Sequence, residues 1–112
     1  MASQSTKRAV GQHFLPEGFV TVPASPTDLI TVDTVVFQIA VGNPTNGAIT
    51  FSVSDKQTVP LNPIKISIDG GSFAILPFGE GTKFLGGITW SGSGAGLVAE
   101  IFGTHIGTGT SA

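Results

Sequence analysis

Ile49, Phe51 and Val53 alternate with Thr50, Ser52 and Ser54, and further on Ile64, Ile66 and Ile68 alternate with Lys65, Ser67 and Asp69. A period of two puts apolar side chains on one face of an extended chain and polar ones on the other, the pattern of a half-buried strand. The segment TVVFQIAV, residues 34–41, is apolar on both sides, with Val35, Phe37, Ile39 and Val41 on one face and Val36, Gln38 and Ala40 on the other. Strands covered on both faces read this way, so this one is expected at the centre of a sheet. No stretch carries the i, i+3, i+4, i+7 spacing of a helix for three turns, and 16 glycines and 7 prolines interrupt most candidate windows. Only SPTDLI, residues 25–30, could begin a helix, and its Ser-Pro start suits a turn equally well.

The punctuation agrees with a chain of strands. NPTNG (43–47) ends in Asn-Gly, which tolerates the positive φ angles of a tight reversal, and DGG (69–71) offers the same chemistry between IKISI and SFAIL. Two hairpins are expected there, a third turn around Gly79 and Gly81, and a fourth at SGSGAG before LVAEIF, giving a meander. About seven strands at this spacing predict an all-β fold, a single antiparallel β-sandwich that is jelly-roll-like or a small Greek-key barrel. Residues 1–17 lack alternation and are expected to form an extended N-terminal arm, 18–106 the sandwich and 107–112 a C-terminal tail.

Charged residues make up 11% of the chain, against about 25% in an ordinary soluble domain. Mean hydropathy is +0.35. The longest apolar run, VVFQIAV, is far short of the roughly 18 residues of a membrane span, and no apolar stretch follows Lys7 and Arg8 as in a secretory signal. Synthesis in the cytoplasm is expected, with no membrane partner. Five Lys and Arg at a net charge of -2 leave no footprint for nucleic acid, and the lack of cysteine removes disulfides, thiolate nucleophiles and cysteine-based zinc sites. Interface cores are depleted in Lys, Glu and Asp, so a charge-poor exterior suits a subunit covered by other subunits. The plainer alternative is a monomer kept in solution by its hydroxyl groups.

Reaction chemistry is not evident. GSGAG (92–96) has neither the Gly-Lys-Ser/Thr ending nor the following helix of a phosphate loop, and reads as a hairpin loop. His13 and His105 lack a third ligand for zinc. Of the carboxylates Asp28, Asp33, Asp55, Asp69, Glu17, Glu80 and Glu100, only Asp33 and Glu100 lie within apolar strand patterns, where structural use is favoured. No catalytic, cofactor or metal-binding residue is expected. Trp90 could stack on a sugar ring, but a single Trp without any Tyr favours core or interface packing. Lys7, Arg8, His13, Phe14 and Trp90 are the candidate interface residues.

The segments AVGNPTNGAITFSVSDKQ, PIKISIDGGSFAILPF and KFLGGITWSGSGAGLVAEIF, with Gly86, Gly87, Trp90, Ser91, Ser93, Ala95 and Gly96 as the last shared element, resemble small β-sandwich virion structural proteins of tailed bacteriophages. The likeness covers about residues 35 to 102 and consists of turn and packing motifs. It implies a non-enzymatic virion component, foremost a capsid decoration or cement protein that self-associates, with a trimer among the states implied, and that binds a major capsid or tail protein. A tail or fibre location, or a carbohydrate- or receptor-binding module using Trp90, are the alternatives. The polar arm is expected to order on a neighbouring subunit.

Overall fold

A computed structural model describes residues 18–57 and 63–105, together with the backbone of residues 13–14. Nine strands run in chain order: β1 (His13–Phe14), β2 (Val20–Thr21), β3 (Thr27–Ile30), β4 (Thr34–Gly42), β5 (Ile49–Asp55), β6 (Ile64–Ile68), β7 (Phe73–Phe84), β8 (Ile88–Gly92) and β9 (Val98–His105). No helix occurs among the described residues. SPTDLI supplies a bend and then β3, so the strand reading wins there.

Two antiparallel sheets form the body. One has the order β1-β9-β4-β7, with β2 also on β9, where β1 and β2 occupy successive stretches of one edge; the other has the order β3-β8-β5-β6. The pairs β2–β9, β3–β8, β4–β7 and β5–β6 are all antiparallel. The chain is thus paired as one long hairpin doubled back between β5 and β6 and rolled up, with β4 also meeting β9 and β5 also meeting β8. This is the jelly-roll form of the expected sandwich.

The roll corrects the meander. β4 and β5 belong to different sheets, as do β6 and β7, so the reversals at 43–47 and 69–71 cross from one sheet to the other and are not hairpins. The 93–97 connection between β8 and β9 crosses likewise. Turn chemistry sets a local change of direction, whereas the sheet that the next strand joins is decided by distant partners. Around Gly79 and Gly81 the expected turn is a bulge inside β7: Pro77 pairs with Gln38 and Thr82 with Val36, leaving residues 78–81 looped out opposite Phe37. Gly79 and Gly81 take φ of 58° and 116° there, a backbone that other residues rarely adopt.

The same irregularity corrects the faces of β4. On β9, Val36 pairs with Gly103 and Gln38 with Phe102, so Phe37 is one residue extra and the phase of the strand slips. Val36 therefore joins Ile39 and Val41 in the core, while Val35 and Phe37 face outward. The three core residues share one buried cluster with Ile49, Phe51, Val53, Ile68, Leu76, Phe84, Ile88, Trp90, Leu97, Ala99 and Ile101.

Asn43, at the end of β4, ties two crossings together from a site only 1% exposed. Its Nδ2 donates to the carbonyls of Gly47 and Ile68, each at 2.8 Å, and its Oδ1 accepts from the amide and hydroxyl of Thr45. Its own amide donates to Ser72 O, and its carbonyl accepts from the Gly71 amide. Every polar group of a buried side chain is thereby used, as burial requires. The expected arm, residues 1–17, lies outside the described residues except for the His13–Phe14 backbone, which pairs with Gly103 and Phe102 of the same chain. Replacing Asn43 by Ala should lower unfolding free energy by about 2–3 kcal/mol in urea titration, because it strands several buried partners at once. A loss below about 0.5 kcal/mol would show that the two crossings hold without it.

Candidate functional site

The inward faces of the two sheets are alike; the outward faces are not. On the four-stranded sheet, β5 presents Thr50, Ser52 and Ser54, which pair in register with Ser67, with Lys65 and Ser91, and with Thr89. Asp28 extends this polar surface, accepting from Lys56 Nζ at 2.6 Å and from the Thr89 hydroxyl at 2.9 Å. A depression of about 260 Å³ lies here, bordered by Pro26, Ser52, Lys65, Thr89 and Ser91. Its lining holds hydroxyls, the Lys65 ammonium and Trp90, with no carboxylate to act as a general base.

On the five-stranded sheet the outward rows are mostly apolar. Val98, Gly42 and Phe73 are neighbours across β9, β4 and β7, followed by Glu100, Ala40 and Ile75. Phe102, Gln38 and Pro77 come next, and beyond the bulge Thr104, Val35 and Lys83. Gly42 leaves space that the Phe73 ring fills: a Cβ there would sit 3.4 Å from Phe73 Cδ1 and 3.5 Å from Val98 Cγ2. Phe19 leans in from before β2, its ring centroid 6.1 Å from that of Phe73. The rings of Phe37 and Phe102 pair at 5.8 Å on the same side.

Phe73, Ile75 and Phe19 are 57%, 52% and 48% exposed, so about half the surface of each large apolar residue faces water. They are contiguous on one face rather than scattered. Clustering of this kind marks an interaction surface, whereas single exposed apolar residues need no explanation. The outward side of β4 is already sheltered, Ala40 being 6% exposed beneath its neighbours, yet no further layer of the described chain covers it.

The residues singled out from sequence fall into place around these two faces. Trp90 is 3% exposed and meets the Phe51 ring edge-on at 6.1 Å, so it is a core residue, although it also borders the depression on the hydroxyl-rich face. Its place on that list is corrected by period: β8 turns Ile88 and Trp90 inward and Thr89 and Ser91 outward. Lys7 and Arg8 lie outside the described residues, and of His13 and Phe14 only the backbone is described. In the GSGAG loop the Gly92 amide donates to Pro23 O and the Ser93 amide to Thr50 O, while the Ser93 hydroxyl accepts from the Thr50 amide. A Cβ on Gly96 would come within 2.3 Å of Thr45 Cγ2, so the loop is packed against the 43–47 crossing, and its Gly92 and Ser93 amides serve the fold.

Asp33 caps a turn, its Oδ1 accepting from the Gly86 amide at 2.7 Å. Glu100 points outward, half-buried, in the apolar rows. His105 Nδ1 lies 3.4 Å from the Thr34 hydroxyl. No group of three His, Cys, Asp or Glu among the described residues could hold a metal ion. The aromatic and aliphatic patch itself, Phe19, Phe37, Phe73, Ile75 and Phe102, is absent from the sequence-based candidates. Its signal was present in FAIL (73–76) and VAEIF (98–102), segments apolar on both sides of a strand.

Two substitutions test this assignment of roles. Trp90→Ala should cost about 3–5 kcal/mol of stability, as for a fully packed aromatic, and leave any glycan affinity unmoved. The Asp28 carboxyl is held below its ordinary value of 3.8 by hydrogen bonds from Lys56 first and Thr89 second. A depressed folded-state pKa contributes stability that is complete above the ordinary value and fades as pH falls through the depressed one. Asp28→Asn should therefore melt slightly below the parent protein at neutral pH, the gap closing in acid; a gap that persists unchanged in acid would refute the pairing.

No protein-family model matches the sequence, and neither a curated protein nor a solved structure matches it.

Proposed function

We propose that this chain is a non-enzymatic structural subunit of a virion, foremost a capsid decoration or cement protein, which acts by packing the outward face of its five-stranded sheet against other protein. The observation that carries the reading is the contiguous apolar surface around Phe19, Phe73 and Ile75 on a chain with few charges to keep such a face in water. Self-association follows from the same surface, and the virion setting follows from the sequence resemblance alone. A place on the tail or a fibre would use the face in the same way. The rolled two-sheet body suits this work, since the inward rows form the core and the outward face is free to match a partner without altering the fold.

Among the described residues no carboxylate pair converges in a cleft, which is why packing, not catalysis, is the activity proposed. The hydroxyl-rich face of the other sheet is the one that stays wet: Ser and Thr hydrogen-bond to water at little cost and resist non-specific association. The double variant Phe73→Ser, Ile75→Ser tests the proposal. It should fold with a nearly unchanged melting temperature, because both residues are about half exposed, and should lose co-sedimentation with virions by about a hundredfold in affinity, as expected when central apolar anchors are removed. Full retention of particle binding by a folded double variant would reject the face as the working surface.

A further inference from the structure

We infer that the outward face of the five-stranded sheet meets the same face of a second copy across a two-fold axis, with Glu100 of each copy opposite Lys83 of the other. The inference rests on the assembly reading above and names its partner. On the paired outward rows of β9, β4 and β7 the charged residues are Glu100 and Lys83, with Glu80 exposed in the bulge of β7 beside them. Neither Glu100 nor Lys83 forms an ion pair among the described residues, whereas Asp28 pairs with Lys56 on the other sheet.

Glu100 sits on β9 beside Ala40, and Lys83 on β7 beside Val35, with β4 between the two strands. Two strand spacings and several residues along the strands separate them by on the order of 15 Å, too far to pair within one chain. A two-fold axis lying in the plane of the face, perpendicular to the line joining them and through its midpoint, exchanges their positions. One operation therefore makes both ion pairs, as an isologous contact must. The axis crosses the face near Gln38 and runs close to Ile75, which would meet its own counterpart. The Phe37 and Phe102 rings lie beside Gln38 near the crossing point, so aromatic rings flank the axis with a reciprocal charge pair on each side, an arrangement that fixes register in an interface.

Another mode of pairing fits less well. Lengthening the sheet edge to edge through β7 is opposed by Pro77, which has no amide proton to donate, and by the bulge at residues 78–81.

Sedimentation equilibrium of the full chain decides the matter. The unaltered protein should be a dimer, and Glu100→Lys or Lys83→Glu alone should raise its dissociation constant by at least about tenfold, since each replaces two attractions with two repulsions. The combined Glu100→Lys, Lys83→Glu variant should return to within about threefold of the original constant, because the pairing is restored with the signs exchanged. Circular dichroism melts matching the parent exclude misfolding. If the single reversals leave a dimer unchanged, or the combined variant is no better than either single one, this geometry is overturned. A monomer or a trimer at all concentrations also overturns it. Loss of virion binding in the Phe73→Ser, Ile75→Ser variant under those outcomes would leave the assembly reading standing with a different partner on the face.

Discussion

The inward rows of β4 and β5 close the two sheets on each other, and the rest of the molecule follows from that contact. Val36, Ile39 and Val41 from one sheet share a buried cluster with Ile49, Phe51 and Val53 from the other, and β6, β7, β8 and β9 add their own inward residues to it. With no cysteine and little charge, burial of apolar surface is the main term available to hold the roll together. Because strand side chains alternate, committing one side to the core fixes the other side as exterior, residue by residue. The exterior is thus a by-product of the core, and its chemistry must be either water-tolerant or covered.

The two sheets resolve this differently. The four-stranded sheet places hydroxyls outward from β5 and β8 and ties Asp28 to Lys56 and Thr89 at its margin. The five-stranded sheet places rings and aliphatic groups outward, and small residues at Ala40 and Gly42 let those groups lie flat on the strand. A few charges of the kind that guard most exposed sheets would have made the second face soluble at little cost to stability. On the paired rows Glu100 and Lys83 supply them, at opposite flanks of the patch, and Glu80 stands in the bulge of β7. A face of that composition is suited to recognition by shape and apolar contact, with charge setting register.

The class of fold was legible from local pattern: alternation in ITFSVSD and IKISI, the double-sided apolar run at 34–41, and glycine and proline between them. The central position of β4 was legible for the same reason. The rolled topology was not, because Asn-Gly or Asp-Gly-Gly chemistry serves a sheet-to-sheet crossing as well as a hairpin. Nor was the phase slip at Phe37, which depends on how many residues β7 and β9 place opposite it. The interface candidates leaned toward the rare residue, Trp90, and the charged N-terminus. The surface that the fold exposes is built instead from common residues, Phe73 and Ile75, whose outward direction is set by pairing with Gly42 and Ala40 and so appears only once the register is known.

Hydroxyl-radical footprinting of the protein, free and in its native assembly, addresses the central claim most directly, since it reads side-chain exposure on both outward faces at once. The account expects Phe19, Phe73 and Ile75 to be strongly oxidised in the dissociated protein and protected on assembly, with Pro26 and Pro63 beside the hydroxyl-rich depression reacting equally in both states. Protection of that depression in place of the apolar rows, or equal oxidation of Phe73 and Ile75 in both states, would contradict it.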